Sequence, residues 1–197
     1  AELGPGLLGS VYDGVQRPLQ AIRSTSGDFI GRALAPPPLD RVRRWEFQPA
    51  VREGDAVGPG DVLGVVAETP RIDHRVMVPP GCRGTVRDIR AGSFSAVEPV
   101  AVFSDGTAVA MSQRWPVRRP RPSRRRLPSA LPFITGQRVF DILFPLAAGG
   151  AAIIPGGFGT GKTVVEQTLA KYAGADVIVF VGCGERGNEM TEVLSDF

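Results

Sequence analysis

The sequence has few of the residue types on which several protein functions depend. One of its 197 residues is a histidine, and the two cysteines, Cys82 and Cys183, lie far apart without the spacing of a metal site. No run of about 18 apolar residues occurs, so no membrane-spanning helix is predicted. These absences argue against a zinc site, a disulfide framework and an integral membrane protein, and isolated thiols are typical of a reducing compartment. We expect His74, the one histidine, to be packed or solvated rather than catalytic, since no nucleophile pattern accompanies it.

Lysine is nearly absent, and many of the arginines are concentrated in one short stretch. Lysine occurs only at positions 162 and 171, whereas seven arginines fall within residues 114–126. Without those seven the chain would carry a net negative charge instead of +3, so a uniformly basic nucleic-acid-binding surface is not indicated. Frequent prolines exclude a helix from the same stretch. We interpret 111–134 as an extended connector whose arginines pair with acidic groups of this chain or of a neighbouring one, with a nucleic-acid patch as the alternative.

One stretch carries a specific chemical signal. Residues 156–163 read G-G-F-G-T-G-K-T, which satisfies the phosphate-binding-loop pattern G-x-x-x-x-G-K-[ST]. The apolar run 151–154 predicts a strand before the loop. After it, Val165, Leu169 and Tyr172 predict a helix with one buried stripe. The flanking strand and helix are the context that this motif requires.

The composition of this loop suits an anion. Glycines let the backbone wrap so that several N–H groups converge, and the following helix adds its positive dipole end. Lys162 is expected to contact the terminal phosphates, and the Thr163 hydroxyl is spaced to ligate Mg²⁺. The candidate nucleotide-binding residues are Gly156, Gly157, Phe158, Gly159, Thr160, Gly161, Lys162, Thr163 and Val164.

A second apolar run places charged residues near this loop. Residues 177–181 predict a strand covered on both faces, and G-C-G-E-R-G-N-E follows at 182–189. In parallel α/β sheets ligands bind at the carboxyl ends of strands. Glu185 is therefore predicted to polarise a water for in-line attack on a phosphate. Arg186 is predicted to stabilise phosphate charge or to couple the site to its neighbour. Upstream, Thr135 is predicted to be the N-cap of a helix that ends before Pro145.

Residues 41–110 predict a small all-β module. Turns recur every 8 to 12 residues with β-branched residues between them, which indicates a compact sandwich or barrel. The spacing G-D-x-V-x-x-G-D-x-L at 54–63 resembles half-repeats of the biotinyl/lipoyl carrier fold. Such carriers present a modified lysine, and this module has none. A structural or interaction role is therefore expected.

Taken together, these motifs resemble the catalytic A subunit of the V-type/archaeal-type rotary ATPases. The resemblance covers essentially the whole chain, and the β module looks like the extra domain of those subunits. It is carried by four further stretches: G-P-G-L-L-G-S-V-Y-D-G-V-Q-R-P-L at 4–19, Q-R-W-P-V-R-R-P-R-P at 113–122, I-T-G-Q-R-V-F-D at 134–141 and G-C-G-E-R-G-N-E-M-T-E-V-L at 182–194.

The resemblance implies an incomplete α/β, RecA-like P-loop domain preceded by a barrel-sandwich insert. Four segments are expected: 1–40, the opening part of the nucleotide-binding domain; 41–110, the insert; 111–134, the connector; and 135–197, the N-terminal part of the P-loop domain. The chain is expected to be an internal piece of a longer polypeptide that alone binds nucleotide weakly and turns over little.

The resemblance also implies a function. Glu185 carries the catalytic carboxylate, Lys162 the phosphate contact and Thr163 the Mg²⁺ contact, with ATP or ADP as ligand. Gly157 stands where the family usually has proline, which adds a backbone N–H to the loop. ATP hydrolysis or synthesis would be coupled to proton or sodium transport in the soluble, cytoplasmic head of a membrane complex.

The implied partners are the B subunit in an alternating A3B3 hexamer, a central rotor stalk and a peripheral stalk. Contact with the membrane would be indirect, through the complex, and no nucleic acid is implied. Three alternatives stay open: a type III secretion or flagellar export ATPase, which the β module argues against; an RNA-dependent hexameric ATPase; and a non-catalytic interaction module.

Overall fold

The structure is a computed structural model that describes residues 1–31, 33–121, 125, 127–157 and 159–196. Asp196 is described by its backbone alone. The chain forms two compact units, Ala1–Arg121 and Pro122–Phe197. Among the described residues no helix is both long and apolar enough to cross a membrane.

The first unit is built mainly of short strands. In chain order its elements are β1 (Glu2–Leu3), α1 (Leu19–Ser26), β2 (Arg44–Pro49), β3 (Ala56–Val57), β4 (Val62–Ala67), β5 (Asp73–Met77), β6 (Gly84–Ile89), β7 (Gly92–Ser95), β8 (Pro99–Phe103), β9 (Ala108–Ala110) and β10 (Gln113–Arg114).

Eight of these strands form two antiparallel sheets. Their strand orders are β5-β4-β2-β7 and β3-β6-β8-β9. Side chains alternate between the two faces of a strand, and in β2 Trp45 and Phe47 are buried while Arg44, Glu46 and Gln48 are exposed. The inward faces share one core, to which both sheets contribute: Trp45, Phe47, Val57, Leu63, Val66, Val76, Val78, Val86, Ile89, Val100, Ala101, Phe103, Val109 and Met111. The all-β character predicted for 41–110 is confirmed.

The opening segment belongs to the same unit as these sheets. Strand β1 pairs antiparallel with β10, and the Glu2 carboxylate accepts two hydrogen bonds from Arg41 Nη2, at 2.6 and 2.7 Å. Glu2 is buried, so the ion pair is shielded from solvent and each charge needs the other.

Glu68 fastens the first turns to the β4–β5 hairpin. Its buried Oε1 accepts hydrogen bonds from the backbone N–H groups of Gly6, at 2.7 Å, and Leu8, at 3.2 Å. His74 Nδ1 lies 3.5 Å from Glu68 Oε2. Burial lowers the pKa of His74, and the Glu68 carboxylate opposes that shift. His74 is thus packed against a structural carboxylate.

The second unit contains less regular structure. Its elements are β11 (Pro132–Phe133), α2 (Arg138–Leu143), β12 (Leu146–Ala147), α3 (Lys162–Tyr172) and α4 (Gly187–Asp196). Strands β11 and β12 form one antiparallel pair. The helix predicted after the phosphate loop is present as α3. Val165 and Leu169 of its predicted stripe are half-buried, and Tyr172 is exposed.

The strands predicted at 151–154 and 177–181 are wrong for this structure. Neither segment joins a ladder among the described residues of the unit, and Ile153, Val179 and Val181 are exposed. A parallel strand exists only through hydrogen bonds to its neighbours, and the described part of this unit supplies only the β11–β12 pair.

The N-cap predicted at Thr135 is also wrong. Helix α2 begins at Arg138 with Gln137 as its N-cap residue. The buried Thr135 hydroxyl donates to Asp141 Oδ1 at 2.7 Å and accepts from the Gln137 N–H at 3.1 Å. The Thr135 backbone N–H donates to the same Asp141 oxygen at 2.9 Å. Thr135 therefore holds the approach to the helix instead of capping it.

We expect Gly64→Ala to destabilise the first unit. A Cβ at Gly64 would overlap the Gln48 carbonyl oxygen and the Phe47 ring of the paired strand β2. Overpacking of this kind costs about 1–3 kcal/mol. Urea unfolding followed by tryptophan fluorescence measures the change, because both tryptophans of the chain, Trp45 and Trp115, lie in this unit.

Gly58→Ala is the matched control for Gly64→Ala. A Cβ at Gly58 would meet only Asp61 Oδ2, at 3.8 Å, which is an ordinary contact. The stability of this variant should change by less than about 0.5 kcal/mol. Equal losses in the two variants would contradict the packing argument.

We expect Asp141→Asn to weaken α2 near neutral pH but not in acid. The Thr135 backbone N–H, followed by its hydroxyl, lowers the pKa of Asp141. A carboxyl whose pKa is lower in the folded state stabilises that state above its unfolded pKa, and the contribution disappears as the pH falls through the folded pKa. Hydrogen exchange of the α2 amides should therefore be faster in the variant at about pH 7 and equal in strong acid. Asp176→Asn, at an exposed position, is the control, and a pH-independent difference would argue against this account.

Candidate functional site

The phosphate loop ends in a left-handed turn that begins α3. Gly159 and Gly161 have φ of 77° and 80°, in the region that glycine occupies at no steric cost. Gly161 is the N-cap residue of α3 and has no side chain. The first-turn N–H groups of α3 are therefore left for a partner other than a capping side chain, and the positive end of the helix dipole lies at the same place. Phe158 lies outside the described residues.

Lys162 is folded back over the loop. Its Nζ donates to the carbonyl oxygens of Gly156, at 2.7 Å, and Gly157, at 2.6 Å. The Thr160 hydroxyl donates to the Gly157 carbonyl oxygen at 2.8 Å. A Cβ at Gly156 would overlap Thr160 Oγ1, so only glycine allows this closure. The Lys162 ammonium is thus held against the backbone at the beginning of the loop.

The remaining predicted loop residues lie in the first turn of α3. Thr163 is half-buried one position after Lys162, and Val164 is exposed. The Thr163 hydroxyl is a hard oxygen donor of the kind that Mg²⁺ prefers. Mg²⁺ typically takes only one or two protein ligands when it is bound together with substrate phosphates. The glycine-lined cradle, the ammonium and this hydroxyl fit a Mg²⁺–polyphosphate group.

The structure brings Glu185 within electrostatic reach of Lys162. A hydrogen bond with the Glu189 side chain is the largest of the effects that raise the pKa of Glu185, followed by desolvation and by repulsion from Glu189 and Glu166. The Lys162 ammonium acts in the opposite direction and lowers that pKa. A carboxyl group with a raised pKa beside a phosphate-loop lysine is a candidate for proton or water handling.

Arg186 occupies the last position before α4. Its carbonyl oxygen accepts the Met190 N–H at 3.1 Å, and its side chain is exposed. Arg186 thus follows Glu185 directly in the turn that leads into α4.

Two acidic residues of this cluster were not predicted from the sequence. Glu166 follows Lys162 by four positions on α3, and Glu189 follows Glu185 by four positions into α4. Residues four apart on a helix share a face, so this spacing was the available signal. Because Glu185 lies just before α4 begins, its four-residue spacing to Glu189 is missed when only residues within the helix are compared.

Two domain models of one family match the chain. The barrel-sandwich domain of the ATP synthase alpha/beta subunit matches residues 36–118. The nucleotide-binding domain of the ATP synthase alpha/beta family matches residues 136–197. The two matches correspond to the β-sheet module and to the segment that contains the loop, α3 and Glu185.

Curated relatives match over the full length of the chain. The V-type ATP synthase alpha chain of Anaeromyxobacter dehalogenans strain 2CP-C is 60% identical over 196 residues, which are 100% of this chain and 34% of that protein. The A-type ATP synthase A subunit of Methanosarcina barkeri strain Fusaro is 54% identical, again over 100% of this chain and 34% of that protein.

A third relative extends the comparison. The second A-type ATP synthase A subunit of Methanospirillum hungatei is 56% identical, over 100% of this chain and 33% of that protein. The chain therefore spans about a third of the length of the curated relatives it matches. With both domain models and these relatives in agreement, the chain belongs to the ATP synthase alpha/beta family, as a segment similar to the A (alpha) subunits of its V-type and A-type members.

Proposed function

We propose that this chain supplies the phosphate loop and the catalytic carboxylate of a rotary ATP synthase/ATPase. The observation that carries the proposal is the closed glycine loop at the start of α3, in which the Lys162 ammonium donates to the carbonyl oxygens of Gly156 and Gly157. The substrate is Mg-ATP, or ADP with phosphate in the direction of synthesis. Turnover is coupled to proton or sodium transport in the assembled complex.

The chain's own residues divide the work at this site. Lys162 exchanges its two carbonyl partners for phosphate oxygens. The N–H groups of the loop, from Gly156 to Val164, bind the remaining negative charge. Thr163 would hold Mg²⁺, which would supply neutralisation of phosphate charge.

Glu185 orients and polarises the attacking water. Phosphoryl transfer depends mainly on positioning and charge stabilisation, so a carboxylate held at one place is the main requirement. Arg186, beside it, stabilises phosphate charge or links the site to a neighbouring chain of the complex. The partner in that complex would supply a second arginine.

The fold proposed for the whole protein is RecA-like. It is an α/β nucleotide-binding fold, of which 135–197 would form the N-terminal part. The insert, 41–110, has a biotinyl/lipoyl-like sandwich without a carrier lysine. We propose segment boundaries at 40/41, 110/111 and 134/135.

The partners proposed are the B subunit in an A3B3 hexamer, a central rotor stalk and a peripheral stalk, in a cytoplasmic head attached to the membrane only through the complex. Nucleic acid is not proposed as a partner. Trp115, the one aromatic residue among the seven arginines of 114–126, is buried and donates its indole N–H to the Arg119 carbonyl oxygen at 2.6 Å. The Arg121 guanidinium lies 4.3 Å from its ring centroid, so the ring is not free to stack on a base.

Glu185→Gln is expected to retain Mg-ATP binding and to lose turnover. The amide keeps the shape of the side chain but cannot polarise water as a carboxylate does. In a complete catalytic subunit carrying this segment, steady-state hydrolysis should fall by about 10²–10⁴-fold. Hydrolysis within a few-fold of the unmodified enzyme would remove Glu185 from its assigned role.

Lys162→Ala is expected to weaken Mg-ATP binding. Hydrogen bonds to a charged group are worth about 1.5–3 kcal/mol, so calorimetry should show a dissociation constant raised about 10- to 100-fold. Lys171→Ala is the matched control, since Lys171 is the one other lysine and lies in the last turn of the same helix. Equal affinity in the two variants would be evidence against the phosphate loop.

A further inference from the structure

Gly182 and Met190 are in close contact across the turn that carries Glu185. An ideal Cβ built on Gly182 would overlap Met190 Sδ and lie 3.0 Å from Met190 Cε. The φ of Gly182 is outside the left-handed region, so the glycine matters here for the space that it leaves to the flexible end of the Met190 side chain and not for its backbone conformation. The thioether occupies the place that any larger side chain at position 182 would take.

The loop between these two residues is folded back onto the start of α4. Gly184, with φ of 76°, reverses the chain, and α4 begins at Gly187. The Met190 N–H donates to the Arg186 carbonyl oxygen at 3.1 Å. Residues 182–186 are therefore attached to α4 at both ends, by the Met190 side chain at Gly182 and by the Met190 backbone at Arg186.

Glu185 itself has no buried surface that could fix its position. Its side chain is exposed, and the group with the largest effect on its pKa, the Glu189 carboxyl, lies on α4. A contact between two carboxyl groups is sensitive to pH and weak as an anchor. The packing of Met190 on Gly182 is the apolar contact in this loop that does not depend on charge.

We propose that Met190, packed against the bare backbone of Gly182, is a positioning residue that sets where Glu185 stands relative to the phosphate loop. The inference rests on the proposed function and goes one step beyond it, because it assigns a role to two residues outside the proposed nucleotide-binding and catalytic set. Displacing one end of a short loop by about 1 Å moves the carboxylate three residues later, and misplacement of that size costs about 10²-fold in rate.

The test is a set of variants in the complete catalytic protein, assembled with its partners. Gly182→Ala forces Met190 away from the loop and should lower kcat by about 10- to 100-fold, while Mg-ATP affinity stays within about twofold, since residues 156–163 are untouched. Met190→Ala should cause a smaller fall in kcat. Combining both changes removes the overlap, so the double variant should match Met190→Ala instead of adding the two losses.

Gly187→Ala is the matched control for Gly182→Ala. It is the same substitution five residues later in the same segment, at a glycine whose Cβ would meet nothing within 4 Å. Its kcat should equal that of the unmodified enzyme. If Gly182→Ala does not assemble, the comparison of Met190→Ala with Met190→Leu decides, because leucine refills part of the space and should recover part of the loss.

Three results would overturn the inference: equal kcat in Gly182→Ala and Gly187→Ala, additive losses in the double variant, or a loss of Mg-ATP affinity as large as the loss of kcat. A Glu185→Gln variant, prepared and assayed in the same way, distinguishes failure of the proposed function from failure of the positioning role of Met190. If Glu185→Gln retains turnover, the proposed function fails. If Glu185→Gln is inactive while Gly182→Ala is fully active, only the positioning role of Met190 fails.

Discussion

The left-handed turn at Gly161 is the constraint on which the rest of the site depends. With φ of 80° it ends the phosphate loop and begins α3, which places Lys162 at the first helical position and directs its ammonium back toward Gly156 and Gly157. A residue with a Cβ would be strained in that conformation. A wider turn would move Lys162 away from the loop carbonyl oxygens. Thr163, Glu166 and the electrostatic contact with Glu185 all follow from the direction in which α3 starts.

The sequence predicted the β-sheet module better than it predicted the second unit, and the reason is where each strand finds its partners. In β2, Trp45 and Phe47 alternate with polar residues, and the strands that cover and pair with them lie within the same 41–110 segment. The runs 151–154 and 177–181 have the composition of strands, but no strand pairs with them among the described residues of their unit. Composition indicates that a segment can be a strand, whereas pairing decides whether it is one.

The candidate site shows the same division between local and non-local information. Lys162, Thr163 and Glu185 are assigned their roles from sequence because each belongs to a short motif, and these roles stay predictions. Thr135 was misplaced because a threonine hydroxyl near a helix start has several possible partners, and here Asp141 competes with the first-turn N–H groups. Met190 could not be predicted at all: nothing in a methionine's spacing says that a glycine eight residues earlier will make room for it.

The presence of a lysine at position 162, in a chain with few lysines, has a physical reason. Arginine outnumbers lysine by 21 to 2 in the whole chain, and seven of the arginines lie within residues 114–126. At 162 the cation lies inside the turn of the loop and donates to two carbonyl oxygens at 2.6 and 2.7 Å. A compact ammonium with three rotatable donors can do this and then redirect the same donors to phosphate oxygens. A planar guanidinium, with a rigid fork of five donors, presents its N–H groups in one fixed plane. The loop therefore favours lysine for the freedom of direction of its donors, even in a chain with few lysines.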